Sequence, residues 1–283
     1  MIRVAVFAFA VSFAAGVQAL QLRDDRGVTV ALGGPAERIV ALAPHLAEAA
    51  FAAGAGARVV GVSTFTRYPP EARGLPVVAS FGRVDLERLI ALRPQLVLAW
   101  QTGNSPLQIA RLERLGFPVF VTETRSLADI PRLVRLVGEL AGSVAVAETE
   151  AHDLENEIAR LRKRYAGERS IAVFLEIWHA PMLTVNGEHL ASDALRLCGG
   201  RNVFAAAKTL TPLVSREQLL AVRPEAIITA GAGAPQAWRG LDAVPAVRRH
   251  RVFAIDPDLM YGQGPRFLEG ARTLCDRLER ARN

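Results

Sequence analysis

The 283-residue chain is 51% hydrophobic and 22% charged, with a formal net charge of +6. Those values exclude a disordered or fibrous chain and leave room for one or two domains with full cores. The positive charge does not point to nucleic acid, because the arginines are interleaved with carboxylates, as in RLERLG and DLENEIARLRKR. The basic run from Arg160 to Arg164 fits a solvated helix face.

The chain opens on MIRVAVFAFAVSFAAGVQAL, in which a lone Arg3 precedes an apolar run and Val17-Gln18-Ala19 offers small side chains to a signal peptidase. The run is shorter than the roughly 18 apolar residues that a spanning helix needs. Residues 1–19 are therefore predicted to be an export signal cleaved after Ala19, leaving a soluble chain. No cysteine follows the run, which argues against a lipid anchor.

Taken in order, RIVAL (38–42) reads as a buried strand, followed by a helix with Pro44 in its first turn that stops at Gly54. Val59 to Ser63 reads as a strand. A helix over 85–93 starts on Asp85 as cap and ends at Pro94, and LVLAW is the next strand. Ser105 opens a helix that runs to Gly116, and PVFVT follows as a strand. From Ser126 to Tyr165 the chain reads as helix with a weak point at Ala141-Gly142-Ser143; Val144, Ala147, Ala151, Leu154, Ile158, Leu161 and Tyr165 mark its apolar face. SIAVFLEI, AIITA and RVFAID restore the strand pattern, and a helix over 265–281 closes the chain.

Strands alternating with helices of about ten residues predict βα units on mostly parallel sheets. Within them, VDLERLIALRPQLVLAW (84–100) and SREQLLAVRPEAIITA (215–230) share a skeleton: Glu87/Glu217, Leu89/Leu219, Ala91/Ala221, Arg93/Arg223 and Pro94/Pro224 fall in register. The repeat implies two similar α/β lobes, 37–125 and 169–283, joined through the helical segment 126–168. A helical joint resists bending, so lobe opening should be small.

In open parallel sheets ligands bind beyond the carboxyl ends of the strands. Those positions here carry Phe65, Tyr68, Phe81, Trp100, Trp178 and Tyr261, in a chain only 6% aromatic. Each ring taken singly fits core packing; together they predict a cleft with broad apolar walls suited to a bulky ligand. Gln101, Thr102, Gly103 and Asn104 offer polar contacts beside Trp100, or form a simple turn. The five histidines are dispersed without HExxH or HxH spacing, and no GxSxG, Walker loop or GxGxxG follows a strand, so no catalytic residue, metal site or cofactor is assigned. His179 beside Trp178 reads as a ligand contact or a polar loop residue, and the spacing of Glu176 and Asp258 does not support an acid-base pair. Glu87 and Glu217 each sit in the first turn of a helix, where a carboxylate gains about 0.3 to 1 kcal/mol from the helix dipole. They also present two matched carboxylates to a two-fold partner with basic sockets. Cys198 and Cys275 are the only cysteines; in an oxidising compartment they pair, or else they stand as buried thiols.

RIVALAPHLAEAAFAAG, VGVSTFTRYPPEA, VDLERLIALRPQLVLAW with its following GN, LRLCGGRNVF, VSREQLLAVRPEAI and the late GPR with Cys275 together resemble the helical-linker class of periplasmic binding proteins, and within it the cobalamin-binding branch. The resemblance covers essentially the whole mature chain. It implies the class III fold, two Rossmann-like lobes with mostly parallel sheets joined by one long rigid helix. It also implies a monomeric periplasmic carrier that is not an enzyme, captures a corrinoid as transported ligand and docks on a two-fold ABC permease of the inner membrane. By motif, docking falls on Glu87 and Glu217, and a disulfide on Cys198 and Cys275. Ligand contacts fall on Phe65, Phe81, Trp100 and Trp178 and on a late loop of Asp258, Leu259, Met260, Tyr261 and Gly262. Phe65 and Phe81 stand where that branch has Tyr and Trp. A haem or iron-siderophore carrier of the same fold is the nearest alternative; for an anionic siderophore Arg67, Arg83 and Arg266 are the candidate partners. An exported metal-dependent enzyme is the alternative from another class.

Overall fold

The computed structural model describes residues 19–80, 82–231 and 234–283. The leader, apart from Ala19, and Phe81 lie outside the described residues. Among those described, no helix is long and apolar enough to cross a membrane.

The chain begins with a hairpin that the periodicity does not reveal, β1 (Leu20–Arg23) and β2 (Thr29–Leu32). The buried Asp24 carboxylate accepts bonds from the backbone N–H of Arg26, Val28 and Val121 and from the Arg26 side chain. Six strands form the first large sheet: β3 (Ile39–Ala41), β4 (Val59–Ser63), β5 (Val77–Ser80), β6 (Arg83–Val84), β7 (Leu96–Trp100) and β8 (Val119–Thr122). Their order is β6-β5-β4-β3-β7-β8, parallel except for the β5/β6 pair. The central strands are buried on both faces, which is why they read as unbroken apolar runs. The helices of this lobe are α1 (Pro44–Ala52), α2 (Leu86–Leu92) and α3 (Pro106–Arg114).

The stretch expected as helix from 126 to 165 is two helices, α4 (Asp129–Ala141) and α5 (Val144–Tyr165). The break falls on Gly142, whose φ of 69° is the left-handed conformation that glycine adopts freely. After it the chain folds back, and Arg135 of α4 bonds Glu148 and Glu155 of α5. A bond from the Ala36 N–H to the Leu140 carbonyl ties the end of α4 to the chain just before β3. Of its expected apolar stripe, Ala147, Ala151, Leu154, Ile158, Leu161 and Tyr165 are buried. Val144 is exposed, because the first residue of the helix lies beyond the lobe surface that the later turns cover.

The second lobe holds β9 (Ile171–Trp178), β10 (Leu183–Thr184), β11 (Gly200–Asn202), β12 (Ala226–Ala230) and β13 (Val252–Ile255). β9, β12 and β13 run parallel; β11 pairs with the start of β9 and β10 with its end, antiparallel. Around them stand α6 (Leu190–Leu197), α7 (Arg216–Val222), α8 (Ala234–Ala237), α9 (Pro245–Arg248), α10 (Pro257–Met260) and α11 (Phe267–Arg282). Cys198, at the end of α6, is joined to Cys275 of α11, 77 residues on, so the bridge staples two helices of one lobe.

The repeat seen in the sequence is a repeat in space. Asp85 caps α2 by accepting from the Arg88 N–H, and Ser215 caps α7 by accepting from the Gln218 N–H. Both seven-residue helices end on an arginine in the left-handed region, Arg93 at φ 45° and Arg223 at φ 44°. Each puts its glutamate, Glu87 or Glu217, in the exposed first turn, with an exposed apolar residue, Ile90 or Leu220, one turn on.

Helix α5 is fastened at both ends. Val146 packs on Gly54 of the first lobe, while Tyr165 donates to Asp276 and Glu157 accepts from Arg272, both on α11. Helical bonding along the joint and these contacts at its ends oppose a wide swing of the lobes.

Candidate functional site

The strand ends of the two lobes face one cleft. On the first lobe, Phe65 follows β4 with its backbone at φ 64°, a conformation that costs a β-carbon residue roughly 1 kcal/mol or more. The residue is 58% exposed. Trp100 ends β7 half-buried, with His45 of α1 packed edge-on at 5.2 Å between ring centroids. Burial holds the His45 imidazole down to about 3, so it is neutral packing against the tryptophan.

The turn after Trp100 is built for that ring. A β-carbon on Gly103 would lie 1.7 Å from the indole, so no other residue fits without displacing Trp100. Asn104 accepts from the Trp100 N–H and donates to the Leu42 carbonyl, and Thr102 donates to Glu123 through both its N–H and its hydroxyl. These polar groups are spent on shaping the turn.

On the second lobe, Trp178 ends β9 and is 62% exposed, its indole N–H donating to the Ala180 carbonyl. The loop after β13 brings Asp258, Tyr261 and Gly262 to the cleft. Tyr261 donates its hydroxyl to the Glu176 backbone carbonyl, and burial pushes its phenol well above the ordinary range. Met260, in the same loop, is a correction: it is 1% exposed, because the turn of α10 directs it into the core. Leu259 is half-buried and does not line the cleft cavities described next.

Two cavities share Pro257 in their walls. One, of about 230 Å³, is enclosed by His45, Phe65, Arg67 and Trp100 on one side and Asp258, Tyr261 and Gly262 on the other. The second, of about 440 Å³, lies on the second lobe among Glu176, Trp178, His179, Thr229 and Ala230. The structure thus gathers Phe65, Trp100, Asp258, Tyr261 and Gly262 at one cavity and Trp178 at its neighbour. Glu87 and Glu217 lie apart on the exposed helices α2 and α7.

Besides Arg125 with Glu188 at 3.3 Å, two ion pairs join the lobes beside the cleft cavities. Arg67 meets Asp258 at 3.7 Å, both largely exposed, and such a pair contributes about 0 to 1 kcal/mol, too little to hold the cleft shut. Glu48 of α1 meets Arg266 at 3.8 Å deeper down, where burial, opposed by Arg266, pushes the carboxyl up to about 7. The Arg266 guanidinium lies 4.2 Å from the centre of the Tyr68 ring. Arg67 and Arg266 both line the 230 Å³ cavity, each paired with a carboxylate, while Arg83 lines neither cleft cavity, so two of the three candidate arginines meet at the cleft and neither is left unpaired.

A larger cavity of about 870 Å³ lies behind Glu48, Tyr68 and Arg266 against α5. Its walls carry Glu71, Glu150, Asp153 and Glu157 with Arg160 and Arg272, a mixed-charge lining that offers few flat apolar faces. Among the described residues no group of three or more His, Cys, Asp or Glu side chains is placed to hold a metal ion.

Sequence reasoning passed over one polar cluster. The Glu176 carboxylate, 1% exposed, accepts from the Thr229 hydroxyl, from the Trp238 indole N–H at 3.0 Å and from Nδ1 of His179 at 2.7 Å. The signal available was a charged residue inside the apolar run IAVFLEIW.

Two α/β lobes with aromatic strand exits facing across the gap define a bilobal ligand-binding protein. Residues 39–259 match the family model described as periplasmic binding protein, and the chain belongs to that family. A curated vitamin B12-binding protein of Pectobacterium carotovorum is 36% identical over 249 residues, spanning 86% of this chain and 88% of that one. The crystal structure of the periplasmic vitamin B12 binding protein of Vibrio cholerae superposes with a TM-score of 0.84 at 34% identity, covering 88% of this chain and 99% of that one. A periplasmic heme-binding protein from Roseiflexus sp. RS-1, solved in apo form, gives a TM-score of 0.76 at 26% identity, covering 87% of this chain and 99% of that one.

Proposed function

We propose that this protein is an exported carrier that holds a cobalamin between its two lobes and delivers it to an ATP-driven importer. The observation that carries the reading is the pair of exposed aromatic residues, Phe65 at 58% and Trp178 at 62%, presented by opposite lobes on a stiff frame. An exposed aromatic face costs solvation that a flat apolar guest relieves, and a corrin ring fringed by amides is such a guest. The names of relatives covering most of the chain support the same ligand. In this reading the leader is removed after Ala19, the carrier acts as a monomer, and it has no catalytic step or cofactor of its own. Glu87 and Glu217 dock on arginines of a two-fold permease; their matched helices and first-turn exposure support that role.

Calorimetric titration with cyanocobalamin tests the ligand, with haem and a ferric siderophore as controls. One-to-one saturation by cyanocobalamin, with at least tenfold weaker uptake of both controls, is the expected result. Haem binding more tightly than cyanocobalamin would overturn the reading.

A further inference from the structure

The cluster around Glu176 places a carboxyl group inside the second lobe, at the edge of the cleft. An ionised carboxylate buried at the end of a core strand is costly unless its lone pairs are satisfied, and here three donors satisfy them. The Trp238 indole is donor only, so the oxygen it meets is an acceptor. The other oxygen, Oε1, faces Nδ1 of His179 at 2.7 Å. A carboxylate there fixes the tautomer: Nδ1 carries the hydrogen and Nε2 keeps its lone pair. Nε2 has no hydrogen-bond partner among the described residues, and His179 lines the 440 Å³ cavity beside Trp178. Trp238, edge-on at 5.6 Å between centroids, holds the imidazole from a further side. A carboxylate-oriented imidazole with one free lone pair is the arrangement proteins use to present a nitrogen to a metal.

The other histidines lack this arrangement. His45 is buried against Trp100, His189 is buried and spends Nδ1 as the cap of α6, and His152 and His250 line neither cleft cavity.

We infer that His179 is an axial ligand for the metal of the bound macrocycle, with Glu176 as its positioning residue. This rests on the cobalamin reading above and adds a preference to it: forms whose axial position carries a displaceable water are retained over forms carrying a strong carbon ligand. In the step, the cobalt(III)–oxygen bond to water breaks, the imidazole lone pair forms a cobalt–nitrogen bond, and the water leaves to solvent. The metal keeps its oxidation state and no proton is transferred. Cyanocobalamin, whose cobalt–carbon bond is not displaced, binds through its faces and amides alone.

The test is a parallel titration of the full chain with aquocobalamin and cyanocobalamin, followed by visible absorption and by affinity. With the wild-type chain, the bands of aquocobalamin are expected to move to the positions produced by free imidazole, while those of cyanocobalamin stay unchanged. In His179→Ala the band shift of aquocobalamin should be lost, and the affinity for aquocobalamin relative to that for cyanocobalamin should fall at least tenfold. Glu176→Gln should keep the shift while weakening aquocobalamin by about 10- to 100-fold, the usual cost of losing an orienting partner. A wild-type complex with aquocobalamin that shows no shift, or the same shift in His179→Ala, overturns the axial assignment while leaving the cobalamin reading intact. Failure of cyanocobalamin to bind the wild-type chain overturns both.

Discussion

The two lobes are alike on one surface and unlike on another. Helices α2 and α7 agree in length, capping, terminal φ and the placement of Glu87 and Glu217. The walls of the cleft do not agree: the first lobe offers Phe65 and Trp100 over a buried neutral histidine, the second offers Trp178 beside a carboxylate-bound one. A surface that meets a symmetric partner is held to symmetry, because each half must fit the same socket. A wall that meets an asymmetric guest is free to differ, and this contrast supports the proposed assignment of the matched helices to a permease and of the cleft to the ligand.

The largest expected effect tests the symmetric side. Replacing Glu87 and Glu217 together by Ala should abolish cobalamin uptake in a reconstituted transport assay while leaving cyanocobalamin affinity within about twofold. Each single variant should lower uptake equally, and unequal losses would break the equivalence of the lobes. The disulfide has no counterpart in the first lobe. Changing Cys198 and Cys275 to Ser should cost about 4 kcal/mol on the loop-entropy model, read as a lower denaturation midpoint. If hydrogen exchange then speeds up in α6 and α11 and not in the first lobe, the lobes are separate in stability as well as in sequence.

The smaller effect is acid sensitivity. Burial holds His45 down to about 3 and His189 down to about 4, below the ordinary histidine value near 6.5. Between those values the unfolded chain binds protons that the folded chain refuses, so stability falls as pH drops from about 6.5 toward 4. Each histidine contributes on the order of 3 kcal/mol to that loss, at about 1.4 kcal/mol per pH unit. Glu48, pushed up to about 7, acts with the opposite sign: its contribution is present at low pH and is lost as pH rises from about 4.5 to 7. Urea unfolding from pH 4 to 7 should show His45→Gln and His189→Asn each flattening part of the acid limb. Asn keeps the cap of α6 at position 189. If one variant removes the whole limb, that lobe alone governs acid unfolding.

Much of the cleft was legible because it depends on short-range rules. A strand exit followed by an aromatic is visible in sequence, as at Trp100 and Trp178, and a cap followed by a first-turn glutamate is visible at Asp85 and Ser215. The stripe of α5 was legible from Ala147 to Tyr165 because one face of a helix meets its neighbours at a fixed period. Met260 was misplaced because a four-residue helix turns successive side chains in directions that a motif does not specify. The hairpin 20–32 escaped because two four-residue strands carry little periodic signal.

The sequence by itself determined the succession of the strands β3, β4, β7, β8, β9, β12 and β13, the duplicated helices, the break at Gly142 and the chemical character of the strand exits. All of these are set by residues within a few positions of one another, through φ preference, capping and apolar period. Only the tertiary structure decided that Glu176, Thr229, Trp238 and His179 form one cluster, and that Glu48 and Arg67 reach across to Arg266 and Asp258. Glu176 and Trp238 stand 62 positions apart, and a parallel sheet brings such residues together through crossovers whose side-chain pairings carry no local sequence signal.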